Sequence, residues 1–322
     1  MIQPLVRPAA VALALVLCAP LPSPGQSLPP NELGRVMILE YHRIDVLEDR
    51  WTRTPDNLRR DLETLYARGY RPIRLNDLLD GRIATVAGQT PVVLTFDDSS
   101  PGQFRFVDRN GSPVIDPDCA VGILEAFALK RPDFGLAATF FVLPGASKPN
   151  RLFNQPEYEA RKLQHLVARG FEIGNHTLWH ANLGQYPEPV VRTQIARAQE
   201  WITRHVPDYR IRALALPHGV YPRDIGWALS GRLNGTAYQH DAILRVAGGA
   251  APSPFASAFD PHRLPRIQAV GPDLDRWLAH FDQNSGHRFV SDGDPATITI
   301  PKGRHDKLRS TLPPGLKVVE TN

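Results

Sequence analysis

From residue 36 onward the chain alternates short apolar runs of β type with longer stretches whose apolar residues recur at helical spacing. Val36-Met37-Ile38-Leu39 reads as a buried strand running into Glu40-Tyr41-His42. Thr54-Pro55 is a helix start, with Thr as cap and Pro in the first turn, and Leu58, Leu62 and Leu65 share one face before Gly69 ends the helix. Pro91–Phe96 predicts a second buried strand that ends at Asp97-Asp98. Residues 99–118 are rich in turn formers and read as a long excursion, a length that is uncommon in a loop without a function. Helices are expected over 119–131, 156–169, 188–205 and 222–232, and strands at Leu136–Leu143, Phe171–Ile173 and Ala213–Leu216. Repeated strand–helix alternation argues for an α/β fold with a parallel sheet, open or closed into a barrel. Residues 285–322 switch to short β-type pieces such as Ala296–Ile300, and one domain with this extension is expected.

The first 25 residues belong to another pattern. Arg7 precedes the apolar run Ala9–Leu17, and the breaker-rich Pro20–Gly25 follows. That order describes an export signal cleaved before Gln26, which predicts a secreted, periplasmic or cell-surface protein. A retained anchor and a lipid-modified Cys18 are the alternatives, though Leu17 is bulky for lipoprotein processing. Cleavage leaves Cys119 as the only cysteine, so no intramolecular disulfide can form. No other run is long enough to span a bilayer. The net charge of +4 comes without a block of like charge, so no nucleic-acid partner is expected. Oligomeric state is not legible.

Three segments place polar groups just after apolar strands: Thr95-Phe96-Asp97-Asp98, Asn175-His176 with His180, and Leu216-Pro217-His218-Gly219. In parallel α/β folds the C-terminal strand ends share one rim, where active sites collect. Two adjacent aspartates alone are usually a cap or a solvated turn, and two histidines four apart a surface pair. Together, a carboxylate and two imidazoles make a catalytic-type metal site with an open position.

These residues resemble a family. TFDD at 95–98 and the H-T-x-x-H pattern at 176–180 are similar to the first two signature motifs of the NodB-like polysaccharide deacetylases, carbohydrate esterase family 4. Leu214–Gly219 (LALPHG) resembles the third motif. VMILEYHRI followed by GYRPIRLNDLL resembles the branch that acts on poly-N-acetylglucosamine-type exopolysaccharides. The resemblance spans roughly residues 36–270 and implies an irregular (β/α) barrel of about seven parallel strands. It implies Asp98, His176 and His180 as metal ligands and Asp97 as general base. The metal is expected to be Zn2+, with Co2+, Ni2+ or Mn2+ as competitors. A metal-activated water then attacks an N-acetyl group, with a backbone N–H near His218 as second oxyanion donor.

Two departures matter. Amide hydrolysis needs an acid, and no late Leu-x-His motif follows residue 240. His42 matches the position used in the exopolysaccharide branch, with His218 as competitor. The arginine that opens the third motif in many members is missing here; Arg266 could approach from a later strand or form a structural ion pair. Trp179 is expected to pack more than to stack on sugar. The expected function is an exported, metal-dependent hydrolase removing N-acetyl groups from a polysaccharide. The alternatives are another amide or an O-acetyl ester on the same scaffold, or a silent carbohydrate-binding protein.

Overall fold

A computed structural model describes residues 28–321. The expected export signal and Cys18 lie outside them. No helix among the described residues is long and apolar enough to cross a membrane.

The chain begins with β1 (Met37–Tyr41) and α1 (Pro55–Ala67), capped by the Thr54 hydroxyl, which accepts from the Asn57 N–H. β2 (Tyr70–Pro72), α2 (Leu75–Asp80) and β3 (Thr90–Phe96) follow. Residues 99–118 are not an open loop: β4 (Phe106–Arg109) and β5 (Ser112–Ile115) form an antiparallel hairpin. Its turn is Asn110-Gly111, both at positive φ, the pair that matches a tight hairpin's twist. Next come α3 (Ala120–Lys130), β6 (Thr139–Val142), α4 (Glu159–Ala168), β7 (Glu172–Asn175), α5 (Glu188–His205) and β8 (Ala213–Ala215).

The helix expected over 222–232 is mostly absent. Only α6 (Gly226–Leu229) is helical, and β9 (Ser230–Leu233) pairs antiparallel with β10 (Thr236–Gln239) across a second Asn-Gly turn at 234–235. β11 (Ala242–Leu244), β12 (Ile267–Gln268) and α7 (Pro272–Gln283) complete the main body. β13 (Thr297–Ile300) and β14 (Lys317–Glu320) are a separate parallel pair within the β-type extension.

Seven parallel strands in the order β11-β8-β7-β6-β3-β1-β12 curl into a half-barrel, and β2 adds to the N-terminal half of β3. The segment carrying β12 touches both edges. Leu264 bridges in parallel to Leu244 of β11, while Ile267 and Gln268 pair with Leu39 and Glu40 of β1.

Every residue of β1 and β3 is buried, as expected for strands covered on both faces. Strand alternation then sorts them. Met37, Leu39, Tyr41, Val92, Leu94 and Phe96 join the core under the helices. Ile38 and Val93 face the interior with Phe141 and Leu244. By the same period, Glu40 and Thr95, which pair in register, also point inward. Gly174 is dictated by this interior: a Cβ there would lie 2.2 Å from the ring of Phe141, its pairing partner on β6.

Candidate active site

The strand ends place the polar groups on one rim. β3 runs directly into Asp97 and Asp98, β7 into His176, and the turn after β8 carries His218. These turns hold unusual backbone. Asp98, Ser99, Thr177, His180 and His218 all lie at positive φ (77°, 44°, 69°, 66° and 59°), a conformation costly for side chains with a Cβ. Such outliers cluster where geometry is held for use.

Asp98 Oδ1 lies 3.2 Å from His176 Nε2 and 3.4 Å from His180 Nε2. The three offer one ligand atom each within 4.8 Å of one another. His176 Nδ1 is 2.8 Å from the Ala215 carbonyl, which can only accept, so Nδ1 carries a proton and in the neutral ring Nε2 is the acceptor facing the cluster. His176 Nε2 and Asp98 Oδ1 are both buried and neither has an aligned hydrogen-bond partner. Orphaned buried acceptors are costly. A carboxylate oxygen and two imidazole nitrogens converging in this way fit a small divalent cation, and these three residues could hold one.

Asp97 faces the other way. Arg266 grips it with two bonds, Nη1–Oδ1 at 2.8 Å and Nη2–Oδ2 at 2.6 Å. The same guanidinium donates to Thr95 Oγ1 and, through Nε, to the Arg245 carbonyl. Its Nη2 also lies 2.5 Å from Glu40 Oε1, an ion pair without hydrogen-bond alignment. Arg266 is both readings at once: a buried ion pair and a group at Asp97. The closing segment delivers it, because Leu264 and Ile267 are pinned to opposite edges of the sheet with Arg266 between them.

His42, at the end of β1, joins Glu40 and Asp97 in a second cluster within 4.8 Å and packs edge-on against Trp51 at 4.7 Å. Gln103, at the root of the 99–118 segment, donates through Nε2 to the His42 and Asp97 carbonyls. The His218 ring lies 4.5 Å from that of His180. Trp179 is not packed away; it is 47% exposed, with its backbone N–H donating to Gln194 Oε1. A cavity of about 610 Å³ is lined by His42, Trp51, both aspartates and all three rim histidines. The hairpin tip contributes nothing to its lining.

Charge sets the protonation states. Burial pushes Asp98 upward, but His176, His42 and His180 together outweigh it and hold it well below the carboxylate range. Asp97 is likewise lowered, because Arg266 and His176 overcome its desolvation. Burial raises Glu40 well above its usual value despite Arg266, since Asp97 and Asp98 repel a third negative charge. Burial lowers His42, and burial with the His176 charge brings His180 down to about 4. His176 is raised: Asp97 and Asp98 favour its charged form over the desolvation cost. Glu40 is the site residue that sequence reading passed over; its signal was a charge in an otherwise apolar strand.

Residues 85–234 match the family model described as polysaccharide deacetylase. A chitooligosaccharide deacetylase of Bradyrhizobium sp. is 27% identical over 140 residues, covering 44% of this chain and 51% of the relative. The chain thus spans about half the length of the curated relatives it matches. Among solved structures, the deacetylase PplD of Streptococcus pyogenes in complex with acetate aligns with TM-score 0.53 at 19% identity, covering 78% of this chain and 98% of that one. IcaB from Ammonifex degensii gives TM-score 0.53 at 20% identity, covering 78% and 97%. At these identities the likeness shows the fold, a parallel half-barrel of the NodB type.

Proposed function

The chain belongs to the NodB-like polysaccharide deacetylases, carbohydrate esterase family 4, and on that premise we propose that it is an exported, metal-dependent hydrolase that removes N-acetyl groups from an N-acetylglucosamine-containing polysaccharide. One observation carries the reading: two buried, unpartnered acceptors, Asp98 Oδ1 and His176 Nε2, converge with His180 beside an arginine-tethered Asp97.

Asp98, His176 and His180 are the ligands, with zinc the default for one carboxylate and two imidazoles. When bound, the cation supplies a water of lowered pKa and polarises the acetyl carbonyl. Asp97, ionised and oriented by Arg266, takes the water's proton as it attacks the carbonyl carbon. In the turn after β8, Gly219 and Val220 spend their N–H groups on Leu216 and Pro217, which leaves the His218 N–H as donor to the developing oxyanion. Burial keeps His42 neutral beside Asp97, so it can receive that proton and pass it to the departing amine as the C–N bond breaks. The His218 ring instead packs at 4.5 Å against that of His180.

Acetate release from N-acetylglucosamine oligomers, set against acetylated xylan, tests the substrate class; release from xylan alone would replace N-deacetylation with ester hydrolysis. The acid is tested by leaving group. His42→Ala should lose amide hydrolysis but keep cleavage of an activated acetate ester, which needs no proton; the same split in His218→Ala instead would move the role there. Export rests on residues 1–25 and is checked by the N-terminal sequence of the mature protein.

A further inference from the structure

At the end of β1 remote from the catalytic rim lies a cavity of about 550 Å³, within the size range of small-ligand sites. Arg35 lines it two residues before β1, and His42 lines the active cavity just after β1, so the two are roughly 20 Å apart along the strand. Every lining residue falls outside 85–234, the stretch that matches the family model. Three segments build it. In the first, Asn31 bridges to Val290 and donates through Nδ2 to the Gly286 carbonyl at 2.8 Å. Gly34 permits that approach, because a Cβ there would lie 2.2 Å from the Arg288 backbone. The second segment runs from Pro252 to Ala258, and the β-type extension is the third. β13 and β14 end at Ile300 and Glu320, and the residues that follow them, Pro301 and Thr321, both line the cavity. Ala256 bridges to Leu308 and the Ser257 N–H donates to the Lys307 carbonyl at 2.8 Å, which ties the extension to the second segment.

The lining sorts into an apolar wall and a positive edge. Leu28, Pro29, Pro30, Leu33 and Pro252 supply the wall; Arg35, Arg304 and Lys307 supply the charge, and no carboxylate lines the cavity. Arg35 is held by its Nη1, which donates to the Ala250 carbonyl at 2.8 Å. Neither Arg35 nor Arg304 has an ion-pair partner among the described residues. Lys307 pairs with Asp306 at 2.9 Å and His305 with Glu320 at 3.4 Å, but both acids stand outside the lining. Ser257 and Ser285 add hydroxyl donors. Two uncommitted guanidiniums and an ammonium around an apolar hollow complement an anion of more than one charge on an apolar body. A phosphate monoester carries about −1.5 to −2 charges at neutral pH on three acceptor oxygens, and so answers this lining better than a carboxylate.

We propose that this cavity binds an organic phosphate with an apolar tail, its oxygens on Arg35, Arg304 and Lys307 and its tail against the proline–leucine wall. A ligand held here leaves the catalytic rim open, so the protein can keep it while substrate turns over at the other end of the barrel. The inference stands apart from the deacetylase reading, because no residue of the cavity belongs to the catalytic set.

Titration calorimetry with hexyl phosphate as the probe tests it, against inorganic phosphate and hexanoate. Hexyl phosphate should bind once per chain, more tightly than either comparator, and more weakly as salt is raised. Arg304→Glu reverses a charge at an exposed position and should weaken binding by about tenfold or more. Ala258→Trp, also at an exposed lining position, fills the cavity and should weaken it similarly. Acetate release from N-acetylglucosamine oligomers should be the same in both variants as in the native protein. No binding by the native protein, or unchanged binding in either variant, overturns the site. Hexanoate held as tightly as hexyl phosphate overturns the phosphate.

Discussion

Asp97 and Asp98 are neighbours in the chain and opposites in the fold. Asp97 is the last inward-facing position after β3, fully buried, with both oxygens claimed by Arg266. Asp98 turns out at φ 77° toward the cavity, and its Oδ1 faces two imidazole nitrogens without an aligned partner. One carboxylate is completed by the protein; the other is left for something to be added. The difference shows how a single Asp-Asp pair can serve two tasks: a peptide flip separates the oxygens, and a buried guanidinium commits one of them.

The sharpest way to break this contrast is Arg266→Met. It strands Asp97 and Glu40 in the interior, and removing one partner of a buried ion pair costs about 3–5 kcal/mol. Urea denaturation should show that loss, with partial recovery in Arg266→Met/Asp97→Asn, which removes the stranded charge; native-like stability would mean the network is not structural. Zinc addition probes the other half. At a hundredfold excess over Kd it should stabilise the native protein by about 2.7 kcal/mol, read by denaturation, and do nothing for Asp98→Ala. Asp97→Asn should still bind zinc by equilibrium dialysis while acetate release falls to background, because only the base is lost.

Without metal, Asp98→Ala should still cost about 1–2 kcal/mol at neutral pH, because the imidazoles that hold its carboxyl below the carboxylate range lose their counter-charge. The smallest effect is a pH slope. Glu40 keeps its proton when folded at pH values where the unfolded carboxyl has lost it. Its contribution is therefore full below the unfolded pKa and is lost as pH rises through the folded one. Glu40→Gln should remove that decline from the stability–pH curve; an identical slope in both proteins would place a charged Glu40 in the network.

Much of the framework could be read from local pattern. The capped helix after Thr54, the strands before Asp97 and His176, and the 188–205 helix lie where apolar spacing and caps put them, because those signals depend on near neighbours. The two missed hairpins share a cause: both turn on Asn-Gly, a signal outweighed by the density of turn formers over 99–118 and by helical spacing over 222–232. β12 is two residues long and has no period to read. Trp179 shows the limit of side-chain inference, since exposure is set by neighbours from α5.

Residue types at strand ends were enough to nominate Asp97, Asp98, His176, His180 and His218 as one chemical set, because parallel strands must deliver their C-terminal ends to a common rim, while His42 was added by the family resemblance. Which carboxylate is tethered and which is free was decided by Arg266, 169 residues from Asp97 in sequence. It arrives only because the 264–268 segment pairs with both edges of the sheet, and such closure is a property of curvature and long-range register that no local pattern encodes.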